Sequence, residues 1–188
     1  EQEIKVIKEF ISNSNNLVIF SKRRLGKTSL IKEIIRKLNK DDNKTISIYV
    51  DIYDITSAED FAECLLKGIT SSFKGDIKTS LKKLASLFKR TRIEPTFDPN
   101  TMKYGIKPIV TALEFEELLE DFFETLFTLS KDKKILLAID EFQQISTIKN
   151  KKIDALFRKY VQDKRSSNIS YIFLGSKRHM LTSLFEYN

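Results

Sequence analysis

Apolar residues fall into two rhythms along this chain. Some form short unbroken runs, and others recur every three or four positions. The runs "LVIF" (17–20), "TISIYV" (45–50), "ILLAI" (135–139) and "YIFLG" (171–175) have the continuity of strands buried on both faces. Between them, Leu30, Ile31, Ile34, Ile35 and Leu38 form a stripe of helical period. Phe61, Leu65 and Ile69 mark a second helix, and Leu81, Leu84 and Phe88 a third. Leu118, Leu119, Phe122, Phe123 and Phe127 mark a long fourth, and Ile153, Leu156, Phe157, Tyr160 and Val161 a fifth. The opening "EQEIKVIKEF" reads as one more amphipathic helix. Strands alternating with helices require crossover connections, so the pattern predicts an α/β fold: a parallel sheet covered on both faces, in three α/β/α layers.

One segment breaks the rhythm. "RIEPTFDPNTMKYGIKPIV" holds all three prolines, with "DPN" between two β-leaning stretches. It reads as a β-hairpin inserted between helices, at about residues 92–111. The 188 residues suit a single domain with a full hydrophobic core. The last residues, "HMLTSLFEYN", begin a helix and stop, so the chain reads as part of a longer protein.

Composition narrows the chemistry. Cys64 is the only cysteine and His179 the only histidine, which excludes an internal disulfide and any multi-cysteine or histidine-based metal cluster. No apolar run approaches the roughly 18 residues of a membrane span, and no leader pattern opens the chain. A cytoplasmic protein without a membrane partner is the plain expectation. Cys64 lies on the apolar side of "FAECLLKGI" and reads as a packed thiol rather than a nucleophile. The net charge of +7 is carried by one block: nine basic residues lie between Lys149 and Arg178, against Asp154 and Asp163. Such a block suits nucleic acid, acidic lipid or an acidic partner, and equally a solvated helix face.

The stretch "SKRRLGKT" (21–28) follows the first strand and precedes the first striped helix. It carries the spacing of a phosphate-binding loop, with Ser21 where the first glycine would stand. A loop running from a buried strand into a helix points successive N–H groups at one spot, and the helix N-terminus adds partial positive charge there. Ser21, Lys22, Arg23, Arg24, Leu25, Gly26, Lys27, Thr28 and Ser29 are therefore candidates to bind ATP. Lys27 would reach the β- and γ-phosphates, and the Thr28 hydroxyl would ligate Mg²⁺. Serine at the first position costs about 1–2 kcal/mol if its φ must be positive, which would weaken the site without removing its chemistry.

"ILLAIDEFQQI" ends an apolar strand in Asp140 and Glu141, where ligands of open α/β sheets bind. Asp140 would hold Mg²⁺, and Glu141 would polarise an attacking water; alternatively the pair only ends a strand at the surface. A water-activating carboxylate directly after the metal aspartate suits hydrolysis better than kinase chemistry. "NISYIFLGSKRHM" ends another strand in Gly175-Ser176. This resembles the additional-strand division of P-loop ATPases, which implies a strand between the loop strand and the Asp-Glu strand with a γ-phosphate sensor at its tip; Ser176 is the candidate, or else part of a strand-to-helix turn. No Asn-Lys-x-Asp guanine-reading motif occurs, which favours ATP over GTP.

Taken together, "SKRRLGKTSL", "YVDIYDI", "AIDEFQQI" and "FLGSKRHM" resemble the archaeal-type P-loop ATPases, relatives of the AAA+ and STAND NTPases. The resemblance runs from about Leu17 to the chain end. It implies a sheet ordered 5-1-4-3-2, of which strands 1 to 4 are found here and the fifth is not. It also implies a helical lid and a C-terminal domain, often a winged helix, beyond this segment. Asp51 matches a recurrent family aspartate or caps the turn after its strand. The function implied is Mg²⁺-dependent ATP hydrolysis, with Glu141, Lys27, Asp140 and Ser176 as catalytic candidates and Thr28 and Asp140 as metal ligands. Closure would pass to a protein partner, a neighbouring copy or a missing domain, with Arg178 a candidate arginine donor to such a copy. DNA is a candidate partner through the basic 149–178 block or the missing domain. A nucleotide-gated switch with little turnover and a nucleic-acid-binding module are the alternatives.

Overall fold

The computed structural model describes residues 2–22, 24–41, 44–73, 92–98, 103–109, 115–148 and 153–176. The helix read at Leu81–Phe88 lies outside them, as do Arg23, Lys177, Arg178, His179 and part of the basic block. The elements run α1 (Gln2–Ser12), β1 (Leu17–Phe20), α2 (Lys27–Asp41), β2 (Thr45–Asp51) and α3 (Ala58–Ser72). They continue with β3 (Arg92–Asp98), β4 (Lys103–Ile109), α4 (Phe115–Ser130), β5 (Lys134–Asp140), α5 (Ile153–Val161) and β6 (Ile169–Gly175). Short 3₁₀ helices at Phe142–Thr147 and Lys164–Asn168 follow β5 and α5.

Four strands form one sheet in the order β1-β6-β5-β2, every pair parallel. The order 1-4-3-2 implied by the resemblance is the order found, making this an α/β fold of the P-loop ATPase type. β3 and β4 pair antiparallel as a separate two-stranded sheet, within the segment read as a hairpin, with β4 beside α3. Three strands are longer than their apolar runs: Asp51, Lys134, Ser170 and Asp140 all join the ladder. Strand pairing is a backbone property, so polar side chains at the ends do not stop it.

Side chains alternate across the sheet and build two cores. Leu136, Ala138, Ile172 and Leu174 pack with Ile7 and Ile11 of α1 and Ile31 and Ile34 of α2. Ile48, Val50, Leu137, Ile139, Tyr171 and Phe173 point the other way, against α3, α4 and α5. The central strands β5 and β6 are thus covered on both sides, which is why they read as unbroken apolar runs. Tyr160 and Tyr171 are buried; Phe123 stacks on Tyr160 with centroids 4.4 Å apart. Among the described residues no helix is long and apolar enough to cross a membrane.

α3 begins with a capping box in which Ser57 and Asp60 satisfy each other's backbone N–H groups. Farther along, Gly68 lets the helix press onto β2. A Cβ there would lie 2.6 Å from Val50 Cγ2 and 2.9 Å from the Tyr49 carbonyl oxygen. Gly68→Ala should therefore destabilise the protein despite alanine's better helix propensity. A net loss of about 1–3 kcal/mol is expected, read as a fall in Tm of several degrees by calorimetry.

Candidate functional site

Parallel pairing in this register brings the C-terminal strand ends together: Phe20 pairs with Gly175, and Asp51 with Asp140. The loop that leaves β1 enters α2 at Lys27, so its turn and the helix N-terminus face this same end of the sheet. Arg24 (φ 65°) and Gly26 (φ 82°) both occupy the left-handed region. Alternation of hand along the loop is what turns successive N–H groups toward one point. The first N–H groups of α2 have no partner inside the helix and add to that field. A Cβ built on Gly26 would meet nothing within 4 Å, so open space rather than protein lies beside it.

That space belongs to a cavity of about 440 Å³, lined by Arg24, Gly26, Lys27, Thr28 and Ser29 with Tyr53 and Glu141 from the strand ends. Its size is within the roughly 300–1,000 Å³ of small-molecule sites. Lys27 is buried and folds back on the loop, its Nζ donating to the carbonyl oxygens of Ser21 (3.0 Å) and Lys22 (3.3 Å). Leu25 is exposed and takes no part in the lining.

Ser21 does not need a glycine's freedom. Its φ is not positive, and its N–H donates to the Gly175 carbonyl oxygen at 3.4 Å, carrying the β1–β6 ladder one residue further. The strain expected at Ser21 sits instead at Arg24. Ser21→Gly is accordingly expected to change nucleotide affinity less than about threefold, measured by titration. It should lower stability by about 0.5–1 kcal/mol through added freedom of the unfolded chain.

Asp140 is buried at the tip of β5. Its Oδ2 accepts from the Thr28 hydroxyl at 2.5 Å and from the Tyr49 hydroxyl at 3.0 Å, and its Oδ1 from the Glu141 N–H at 2.9 Å. Burial, then the adjacent Asp140 carboxylate, push the Tyr49 hydroxyl far above its ordinary pKa, so it stays a donor. Tyr49 opens the stretch "YVDIYDI", and its place two residues before Asp51 puts it on the same strand face. Among the described residues no three His, Cys, Asp or Glu side chains could enclose a metal by themselves. Thr28 and Asp140 offer two converging oxygens. That fits Mg²⁺, which keeps waters and shares its shell with phosphates rather than filling a protein cage.

Glu141 holds a left-handed backbone (φ 56°), and its carbonyl oxygen accepts from the Gln144 N–H at 2.8 Å. Phe142, fully buried beside Phe173, pins the turn that follows. Glu141 lines the cavity, and its carboxylate accepts from Gln143 Nε2. Ser176 is not part of the lining; it meets Gln143 instead. A family of ATPase domains found predominantly in Archaea matches residues 1–188. The chain belongs to that family.

Comparison with curated proteins finds no match. Among solved structures, this ATPase domain is similar to the Walker-type ATPase of Pyrococcus abyssi (20% identity, TM-score 0.55), covering 98% of this chain and 47% of that one. It is also similar to the ORC1 protein of Aeropyrum pernix, solved in complex with DNA (13% identity, TM-score 0.61; 98% of this chain, 40% of that one). Cdc6p of Pyrobaculum aerophilum aligns with 14% identity and TM-score 0.56, again over 98% of this chain and 40% of that one. At these identities the likeness is one of fold, and the chain spans less than half the length of each of these structures.

Other residues singled out from the sequence have plainer surroundings. Asp51 accepts from the Tyr53 N–H at 3.1 Å and so caps its turn. Cys64 is half-buried against the core, and burial raises its thiol pKa, which keeps it out of the nucleophilic thiolate form. In the basic block, Arg165 pairs with Asp163 and Glu124 and lies over the Phe127 ring, while Lys159 lies over Tyr160.

Proposed function

We propose that this domain binds Mg²⁺-ATP in the loop cavity and hydrolyses it, with Glu141 orienting and polarising the attacking water. The observation that carries the reading is the convergence of Lys27, Thr28 and Glu141 on one cavity, with Asp140 bonded directly to Thr28. Lys27 would exchange the Ser21 and Lys22 carbonyl oxygens for phosphate oxygens, a charge-assisted and stronger bond. Thr28 and Asp140 would hold Mg²⁺, which supplies neutralisation of the phosphate charge when bound. Ser176 would sense the γ-phosphate, and Arg24 and Ser29 would add donors around the phosphates. Catalysis of this kind rests on positioning and electrostatic stabilisation by groups that are already in place.

Coupling of the cycle to a protein partner, a second copy or DNA is part of the proposal. Its support is the archaeal ATPase family and, for DNA, the ORC1 complex among the structural neighbours. The deciding experiment is titration of the protein with a fluorescent ATP analogue in Mg²⁺, followed by phosphate release. Saturable binding with slow release of phosphate supports the reading, and no binding at millimolar nucleotide overturns it. Tight binding without turnover would favour the nucleotide-gated switch.

A further inference from the structure

Gln143 stands two residues beyond Glu141 in the 3₁₀ turn, and it is buried. Its partners fix which way its amide points. The Ser176 backbone N–H can only donate, so it meets Oε1, at 3.3 Å. The Glu141 carboxylate only accepts, so it meets Nε2. The second Nε2 proton reaches the Ser176 hydroxyl oxygen at 3.3 Å. Both amide donors and the carbonyl are thus used to join two residues at the ends of adjacent strands, β5 and β6.

This bonding leaves each joined group free for its own chemistry. A hydroxyl has one donor and two acceptor sites; Ser176 accepts from Gln143, and among the described residues its own proton is not used. Glu141, which lines the cavity, is held by Oε2, and among the described residues its other carboxylate oxygen has no side-chain partner. Because Glu141 and Ser176 have no bond to each other among those described, the amide is their only direct link.

We infer that Gln143 is a positioning residue, a buried amide tie that holds Glu141 and Ser176 in one geometry so that they act on the same γ-phosphate. The inference rests on the reading of the cavity as an Mg²⁺-ATP site. A glutamine that only filled space would be replaceable by methionine, which has similar volume, no donor and only a weak acceptor in its sulfur. As a tie, Gln143→Met lowers single-turnover kcat by about 10- to 100-fold, because a reacting group displaced by about 1 Å costs that much. The Kd for Mg²⁺-ATP stays within about twofold of wild type, since Lys27, Thr28 and the loop are untouched.

A second measurement needs no turnover. Glu141→Ala and Ser176→Ala, singly and together, are compared by thermal unfolding. The Tm loss of the double variant falls short of the summed single losses by about 2 °C or more, and this shortfall vanishes in the Gln143→Met background. Unchanged kcat in Gln143→Met, parallel loss of kcat and affinity, or additive Tm losses in the Gln143 protein would each overturn the tie. If wild type binds ATP but never turns it over, hydrolysis is the reading that fails, and the unfolding comparison then decides the tie alone. Should Gln143→Met not fold, the Glu141 and Ser176 variants in the Gln143 protein decide it.

Discussion

Lys27→Ala is expected to weaken Mg²⁺-ATP binding by roughly 30- to 5,000-fold, the equivalent of about 2–5 kcal/mol lost when one partner of a buried, hydrogen-bonded charge pair is truncated. The size follows from where the ammonium sits. It is buried at the start of α2, lines the cavity, and among the described residues is held by the neutral carbonyl oxygens of Ser21 and Lys22. Phosphate oxygens are better partners for it, and alanine leaves them facing N–H dipoles without a full charge. The fold should survive, because alanine removes the cost of keeping that charge buried, which offsets two ammonium–carbonyl bonds worth about 1.5–3 kcal/mol each. Titration with the fluorescent analogue, beside a Tm measurement, checks both parts. A folded variant binding within about threefold of wild type would remove Lys27 from phosphate contact.

Glu141→Gln should divide binding from chemistry. Phosphate release is expected to fall by roughly 10²- to 10⁴-fold, the usual contribution of a positioned general base, with nucleotide affinity within about threefold of wild type. Glutamine keeps the size of the side chain and inherits the same left-handed backbone, which the Asp140 and Gln144 bonds hold in place. What it loses is the carboxylate's ability to take a proton from water. Single-turnover phosphate release and equilibrium binding on the same preparation separate the two effects. Undiminished release would show that water is activated by another group, and loss of binding would assign Glu141 to structure rather than chemistry.

Much of this was legible in the chain. Four apolar runs gave four parallel strands, and the 3.6-residue stripes gave α2, α3, α4 and α5, because each pattern reports burial directly. The phosphate-loop spacing and the Asp-Glu strand end converge in one place because parallel strands in register bring their C-terminal ends together. Less legible was Ser21: its cost depends on one backbone angle, and φ belongs to the folded loop rather than to the residue type. Tyr49 and Gln143 lie within the stretches that carry the family resemblance, but their roles are illegible there for a different reason. Each is an ordinary residue on a strand or a turn, and each matters only through partners distant in sequence, Asp140 for the first and Ser176 for the second.

The amino-acid sequence by itself determined the elements, the layering and the chemical groups at the site. These follow from local periodicity, from loop spacing and from the need to bury apolar surface. Only the tertiary structure decided how the groups are wired. Lys27 rests on loop carbonyls, Asp140 is shared by two hydroxyls, and Glu141 is tied to Ser176 through a buried amide. Hydrogen bonds reach only about 3 Å and demand a set direction. Which donors meet which acceptors is therefore known only once the strands stand side by side.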